Sequence, residues 1–385
     1  MQSAVKNGPR RILALDGGGV RGVIELAFLE RIEALLKERS ANPLDFRLCD
    51  YFDLIGGTST GAIIAAGLAT GRRVEEVKSL YAELAPRVFR KPWWRLTGLQ
   101  SRFAAKPLAE LLNRELPGFT LDDERIRTYL ALVAKRMDTG SPWIVSNIPS
   151  QPYWDDPADG SHRGNRHYSL PQLIRASTAA PYYFGPERVP IETGAISGVF
   201  VDGGVTPYNN PSIPLLMLAT MGPFGLRWKL ARDNLLFISI GTGSFRARIS
   251  PRDIELKPAG KFALDTLLGL VGDCQVASNT LMQWLSYSPD PWIINSEIGD
   301  LREEYLAGVP MLTYQRYDIW MERDWLRTNL GLNASDKDVA RLRRMDDPAN
   351  MPELFRLGRE AAATQVQPQH LEAMFDRPEG ADRLR

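Results

Sequence analysis

A serine between two glycines is the first candidate for chemistry in this chain. Ser59 lies at the centre of the sequence Gly-Thr-Ser-Thr-Gly, residues 57–61. An apolar run at residues 52–55 predicts a buried strand before it, and the small apolar residues 62–66 predict a helix after it. Such a tight strand-to-helix turn presents a serine hydroxyl as a nucleophile, with its glycines avoiding steric clashes. The pattern therefore indicates nucleophilic catalysis by Ser59.

A second cluster of glycines follows the first predicted strand. The apolar residues 11–15 lead into residues 16–22, which read Asp-Gly-Gly-Gly-Val-Arg-Gly and precede a helical pattern. Consecutive glycines let several backbone N–H groups converge on one negative charge. Gly17, Gly18 and Gly19 are therefore candidates for an oxyanion hole that serves Ser59.

The same loop permits a different interpretation. Gly17, Gly19 and Gly22 match the G-x-G-x-x-G spacing of dinucleotide-binding proteins, with a strand before them and a helix after them. Against this, the next predicted strand leads directly into the Ser59 turn, which a dinucleotide site does not need. A nucleotide-binding protein stays as an alternative, and Gly22 is a supporting residue of the loop.

Four further residues of these two turns have supporting roles. Asp16 is expected to cap or brace the glycine-rich loop rather than to take part in chemistry. Arg21 is expected either to help bind a phosphate or to brace the loop. Gly57 and Gly61 are expected to be required sterically, because a side chain at either position would clash in so tight a turn.

An aspartate at the end of a strand is the third candidate. The apolar residues 199–201 predict a strand, and Asp202, Gly203 and Gly204 follow it. Open α/β sheets place their chemistry at the carboxyl ends of the strands. Alone, such an aspartate is more often a turn residue. Beside the other two glycine clusters, Asp202 is predicted to be catalytic, with Gly203 and Gly204 in support.

The three blocks together resemble a known family. Residues 16–22, 57–61 and 202–204 are similar to the three signature blocks of the patatin-like phospholipases. Residues 175–181 resemble the helix-to-proline segment that precedes the aspartate in that family, and residues 209–211 resemble the segment after it.

The resemblance covers roughly residues 10–245 and implies both a fold and a reaction. The fold is a three-layer α/β structure with a mostly parallel central sheet. The reaction is that of a lipid acyl hydrolase of the phospholipase A type, in which Ser59 and Asp202 form a dyad and an acyl-enzyme forms. No cofactor or metal is implied. A catalytically inactive interaction module is disfavoured, because all three blocks are intact.

The resemblance also admits an activator. Some bacterial patatin-like proteins are effectors that cyclic nucleotides switch on during phage defence. A cyclic nucleotide is therefore a possible partner of this chain, beside the phospholipid or membrane surface that a lipid hydrolase requires.

Histidine offers an alternative mechanism. The chain has three histidines, and His370 would complete a Ser-Asp-His order like that of the α/β-hydrolases. The resemblance favours a dyad without histidine. A triad that includes His370 stays open.

Apolar runs and the spaces between them predict the organisation of the chain. Strands alternate with helical stretches, which favours a mostly parallel sheet with helices on both faces. We predict a catalytic domain at residues 10–250, a mainly helical C-terminal extension at 251–376 and a flexible tail at 377–385. The predicted strands are residues 11–15, 52–55, 129–134, 143–146, 199–201 and 235–240, with a strand or extended arm at 312–320.

The composition of the chain restricts the binding partners and the cellular location that we expect for the protein. The net charge is +1, from 47 basic and 46 acidic residues, so no bulk charge attracts a nucleic-acid polymer. No signal peptide and no apolar run of about 20 residues is evident, so we expect a cytoplasmic protein. Residues 87–95 hold paired tryptophans among basic residues, which suits peripheral contact with anionic lipid or a cap over the active site.

Overall fold

A nine-stranded, mostly parallel sheet forms the middle layer of this computed structural model. The structure describes residues 8–89, 101–191, 197–246, 251–255 and 257–377. Most of the segment at 87–95, predicted to contact lipid or to cap the active site, lies outside these ranges, as does the predicted tail beyond residue 377. The strands are β1 Arg10–Leu15, β2 Leu54–Thr58, β3 Tyr129–Arg136, β4 Ser141–Ser146, β5 Glu187–Pro190, β6 Ser197–Asp202, β7 Leu235–Ile240, β8 Ser286–Tyr287 and β9 Leu312–Tyr317.

Twelve α-helices accompany the strands within the described ranges. None of the helices in this part of the chain combines the length and apolar composition needed to cross a membrane. The helices are α1 Val23–Glu38, α2 Leu48–Tyr51, α3 Thr60–Ala69, α4 Val74–Val88, α5 Lys106–Glu115, α6 Leu170–Ser177, α7 Ser212–Thr220, α8 Pro251–Glu255, α9 Ala259–Trp284, α10 Arg323–Leu330, α11 Asp336–Leu342 and α12 Met351–Gln365.

The two faces of β1 show why the protein has three layers. Leu13 and Leu15 point into a core shared with α1, α3, α4 and α12. Ile12 and Ala14 alternate with them and point into a second core, which contains Leu215 of α7. Because side chains alternate along a strand, a strand with apolar side chains on both faces must be covered on both faces. The predicted three-layer α/β fold is confirmed.

Hydrogen-bonded neighbours in the sheet follow the order β5-β6-β3-β2-β1-β7-β9-β8. Strand β4 is outside this series and also pairs with β3. Strands β1, β2, β3, β7, β8 and β9 pair in parallel with one another. Both β4 and β6 run antiparallel to β3, and β5 runs antiparallel to β6. Every strand that the apolar runs predicted is present. β2 continues to Thr58, further than predicted, because both its neighbours pair with its glycines.

The part of the chain after residue 250 is mainly helical, as expected, and it also extends the sheet. The predicted strand at 312–320 is β9, which lies between β7 and β8. Helix α12 packs on α1 so closely that a Cβ on Gly358 would lie 2.9 Å from that of Ala27. The division into a catalytic domain and an extension stays a prediction.

One edge of β3 brings together two distant parts of the chain. Thr58, at the end of β2, lies opposite Val133, and Asp202, at the end of β6, lies opposite Ala134. Strand β4 occupies the other edge of β3, so β2 and β6 share the first edge. Because β2 and β6 run in opposite directions there, their carboxyl ends meet, and Ser59 lies next to Asp202.

Candidate active site

The turn that carries Ser59 has the strained backbone expected of a nucleophile elbow. Ser59 has φ 56° and ψ −121°, a conformation that residues with a side chain rarely adopt. It immediately precedes α3. A Cβ on Gly57 would collide with the backbone of Gly61, and one on Gly61 with the carbonyl oxygens of Leu15 and Asp16. Gly57 and Gly61, both predicted as supporting residues, therefore lie where neighbouring backbone leaves no room for a side chain.

The hydroxyl of Ser59 donates a hydrogen bond to Asp202. The distance from Oγ to Oδ2 is 2.6 Å. The other carboxylate oxygen, Oδ1, accepts the N–H of Gly204 at 2.7 Å, and the Asp202 N–H donates to Ala179. A Cβ on Gly203 would collide with the carbonyl oxygen of Val133. The Oγ–Oδ2 distance is within the range that proton transfer between a hydroxyl and a general base requires.

Burial alters the acidity of this carboxyl group. Only 4% of Asp202 is exposed. Burial raises the pKa of Asp202 to about 6, while the hydrogen bonds from Ser59 and Gly204 and the charge of Arg175 oppose the rise. A base with such a pKa is stronger than an ordinary aspartate and is still ionised at neutral pH.

Ser177, at the end of α6, fixes the backbone of the nucleophile. Its Oγ accepts the N–H of Ser59 at 2.9 Å and donates to the carbonyl oxygen of Val133 at 2.6 Å. Sequence reasoning did not identify this role, although Ser177 lies within residues 175–181, which were singled out by resemblance. A buried serine directly before the Thr-Ala-Ala-Pro sequence was the available signal.

The glycine-rich loop lies against the nucleophile, but its three glycines differ in their hydrogen bonds. A Cβ on Gly17 would lie 3.1 Å from that of Ser59. The Gly17 N–H donates to the carbonyl oxygen of Asn209, and the Gly18 N–H to Oγ1 of Thr60, both at 3.1 Å. Among the described residues, the Gly19 N–H has no acceptor. Of the three predicted oxyanion donors, Gly19 is the one whose N–H is available.

The conformation of Gly19 depends on close neighbours. Its φ is +59°, which favours glycine, and a Cβ there would collide with the carbonyl oxygen of Met345. The Tyr81 hydroxyl donates to the Gly19 carbonyl oxygen. That hydroxyl would lie 3.0 Å from a Cβ on Gly22, the residue before α1. These contacts hold the Gly19 peptide in one orientation.

Asn209 connects the loop to the aspartate turn. Its carbonyl oxygen accepts the Gly17 N–H, and its Nδ2 donates to the Gly17 carbonyl oxygen at 3.2 Å. Its Oδ1 would lie 3.0 Å from a Cβ on Gly204. Sequence reasoning found the segment 209–211 by resemblance but gave Asn209 no role.

Asp16 is buried and forms an ion pair, and its bracing role stays a prediction. Its carboxylate accepts hydrogen bonds from both terminal nitrogens of Arg316 in β9, at 3.1 and 2.7 Å. Gln275 of α9 also donates to it at 3.2 Å. Burial raises the pKa of Asp16 to about 6, although the Arg316 charge opposes the rise. No motif pointed to Arg316, because the pairing spans 300 residues.

Arg21 contacts both the loop and the region after β7. Its Nη1 donates to the carbonyl oxygen of Gly243 at 3.2 Å, and its Nε reaches that of Gly18 at 3.5 Å. Burial lowers the pKa of Arg21 to about 10, so it keeps its positive charge at neutral pH.

His370 lies apart from the Ser59–Asp202 pair. It is buried, and its Nδ1 is 3.1 Å from the hydroxyl of Tyr317. Burial lowers the pKa of His370, which favours a neutral ring. Within the described residues it forms no hydrogen bond with Asp202. The triad alternative therefore has no support from the geometry.

The site combines a serine on a strained turn with a buried carboxylate that accepts its hydroxyl hydrogen bond, beside a glycine-rich loop. Residues 13–216, more than half of the chain, match the model of the family described as patatin-like phospholipase. The chain belongs to the patatin-like phospholipase family. Membership of this family supports a hydrolase that acts on lipid esters.

Two relatives that are similar in sequence agree with this assignment. A cGAMP-activated phospholipase of Escherichia coli (strain TW11681) is 30% identical over 260 residues, covering 66% of this chain and 68% of the relative. Patatin group J-1 of Solanum tuberosum is 30% identical over 250 residues, covering 60% of each chain. The structure of human GIVD cytosolic phospholipase A2 is 12% identical, with a TM-score of 0.42, covering 95% of this chain and 59% of that one.

Proposed function

We propose that this protein is a phospholipase of the A type, which releases fatty acids from phospholipids through a Ser59–Asp202 dyad. The observation that carries the proposal is the 2.6 Å hydrogen bond from Ser59 Oγ to Asp202 Oδ2. The strained turn at Ser59 and the raised pKa of Asp202 support it.

The first half of the reaction forms an acyl-enzyme. Ser59 Oγ attacks the ester carbonyl carbon while Asp202 takes the hydroxyl proton. The negative charge on the carbonyl oxygen is stabilised by the Gly19 N–H and by the unpaired N–H groups at the start of α3. The tetrahedral intermediate then collapses, the bond to the leaving alcohol breaks, and Asp202 returns the proton to that alcohol.

The second half restores the enzyme. Asp202 takes a proton from water, and the resulting hydroxide attacks the acyl carbonyl carbon. Collapse of this intermediate breaks the bond to Ser59 Oγ, which takes back the proton from Asp202, and the fatty acid leaves. Each turnover consumes one water and needs no cofactor or metal.

A cyclic nucleotide activator is a further part of the proposal. The support is the Escherichia coli relative, whose name describes activation by cGAMP. Activation is tested by adding cGAMP to the purified protein and measuring phospholipid hydrolysis. A rise in rate supports this part, whereas an unchanged rate contradicts it and leaves the dyad proposal standing. We propose that the protein is located in the cytoplasm and contacts a membrane peripherally.

Three variants test the dyad. Ser59→Ala and Asp202→Asn should each lower the hydrolysis of a short-chain fluorogenic ester by at least about 1000-fold, because each removes a group that acts in the transition state. His370→Gln is the control and should keep its activity. Thermal unfolding of all three shows that they are folded. Full activity in Ser59→Ala, or an equal loss in His370→Gln, contradicts the dyad.

A further inference from the structure

Helix α9 runs alongside the sheet and continues past the end of the sheet that carries the candidate active site. Strand β8 follows α9 directly and pairs in parallel with the first residues of β9, so the C-terminus of α9 lies at the amino end of the strands. Gln275 lies at their carboxyl end, because its Nε2 donates to Asp16 after β1 and to Ser244 after β7, at 3.2 Å each. Residues 259–274 of α9 therefore extend beyond the sheet on the side of the candidate active site.

The two halves of α9 differ in burial. In the second half, Met282 points into the second core and Asn279 is also buried. Among the side chains that the structure describes between residues 259 and 277, none is buried. Phe262 is 48% exposed and Leu270 is 57% exposed. The first half thus presents large apolar side chains to solvent.

The protruding half of α9 also carries few charges. Residues 266–272 read Thr-Leu-Leu-Gly-Leu-Val-Gly. Before them, Asp265 forms an ion pair with Lys257 at 2.5 Å. With a rise of about 1.5 Å per residue, Phe262 lies about 20 Å from Gln275 along the helix axis. An uncharged apolar segment that is exposed over such a length indicates an interaction surface.

Other exposed apolar side chains lie on segments at the same end of the sheet. Val205 comes shortly after Asp202, Phe245 directly follows Ser244, and Ile254 belongs to α8, which precedes α9. We call the whole set the apolar rim; it consists of Val205, Phe245, Ile254, Phe262 and Leu270.

We propose that the apolar rim, with the protruding half of α9 as its main part, inserts into the surface of a phospholipid bilayer. The inference rests on the proposed hydrolase function and names the residues that dock the enzyme. A bilayer on this surface presents its esters to the end of the sheet that carries Ser59, whereas a second copy of the chain there would obstruct the approach to Ser59. Because residues 266–272 lack charge, apolar contact rather than anionic lipid drives the docking.

The binding test uses Ser59→Ala, which leaves the lipid intact, and sedimentation with phosphatidylcholine vesicles at high salt. Adding Phe262→Gln or Leu270→Gln should weaken binding about 5- to 20-fold each, because a polar side chain replaces a partly exposed apolar one. Leu306→Gln is the matched control. Leu306 is 48% exposed, and its N–H donates to the carbonyl oxygen of Trp284 at the opposite end of α9. This control should bind as its parent does.

The activity test separates docking from chemistry. In a chain that keeps Ser59, each α9 variant should lower the hydrolysis of phosphatidylcholine in vesicles by a similar factor. Its kcat/KM for a water-soluble short-chain ester should equal that of the wild type. Unchanged vesicle binding in both α9 variants overturns the inference. Equal losses on vesicles and on the soluble ester indicate a structural role and overturn it as well.

Two further outcomes identify the failing step. If light scattering shows a dimeric wild type and monomeric α9 variants, while vesicle binding stays unchanged, the apolar rim joins two copies and the lipid assignment is wrong. If the wild type hydrolyses neither substrate and a fluorophosphonate does not label Ser59, the proposed hydrolase function is wrong. The binding test on Ser59→Ala then still decides whether α9 docks on lipid.

Discussion

The carboxyl group of Asp202 is buried where it contacts Ser59. Burial is the largest cause of its raised pKa. An exposed aspartate would be ionised throughout the physiological range and would be a weak base. In this site, burial raises the pKa of Asp202 to about 6, and the neighbouring donors limit that rise. At this pKa the carboxylate is a stronger base than that of an exposed aspartate and is still ionised at neutral pH.

This acidity predicts how the rate depends on pH. The base must be unprotonated to act, so kcat/KM should rise as pH increases through about 6 and level off above it. The check is a rate profile for a short-chain ester between about pH 4.5 and 8, where folding is monitored by near-UV circular dichroism. A rate that is constant across that interval contradicts the role of Asp202 as base.

The candidate catalytic residues could be located in the sequence because short-range patterns mark them. Ser59 and Asp202 each follow an apolar strand and adjoin glycines, and such turns need those residue types locally. The sequence did not show that the backbone N–H groups of Gly17, Gly18 and Gly19 differ in their hydrogen bonds. This difference depends on Asn209 and Thr60, and one of these is far along the chain.

At the scale of elements, the edge of β3 determines the distance between nucleophile and base. The ends of β2 and β6 lie opposite consecutive residues, Val133 and Ala134. Ser177 adds a second constraint, because it bridges the Ser59 N–H and the Val133 carbonyl oxygen. A shift of either strand by one residue would separate Ser59 from Asp202.

Replacing Ser177 should therefore impair catalysis more than binding. Ser177→Ala leaves the Ser59 N–H without its acceptor, and we expect kcat to fall roughly 5- to 30-fold with little change in KM. Thr178→Ala is a matched control from the end of the same helix, since within the described ranges its hydroxyl bonds only to the α6 backbone. Similar kinetics in the two variants would argue against a special role for Ser177.

The order of strands was only partly predictable. Apolar periodicity located the strands, since each is buried on one or both faces. It did not show that β4 and β6 are antiparallel, or that β9 lies between β7 and β8. Those features follow from contacts between residues that are distant in sequence, which periodicity does not report.

At the scale of the whole molecule, a buried ion pair joins Asp16 and Arg316, which are 300 residues apart in the sequence. Arg316 is fully buried and holds Asp16 and Asp318. Removing one member of a buried ion pair leaves a charge that has neither water nor a partner. The catalytic loop therefore depends on a residue in the part of the chain beyond the matched family region.

We expect Arg316→Met to lower the free energy of unfolding by about 3–5 kcal/mol, as measured by urea denaturation. Adding Asp16→Asn and Asp318→Asn to this variant should recover part of the loss, because the unpaired charges are then gone. A single variant as stable as the wild type would show that the pair contributes nothing to the fold.

The separation of 300 residues between Asp16 and Arg316 has a consequence for the newly made protein. The ribosome completes residues 16–22 and Ser59 well before it reaches β9, which carries the counter-ion of Asp16. Until then the sheet lacks an inner strand and the glycine-rich loop lacks its brace. A nascent chain therefore assembles the braced loop only after the 300 residues from Asp16 to Arg316 have been synthesised.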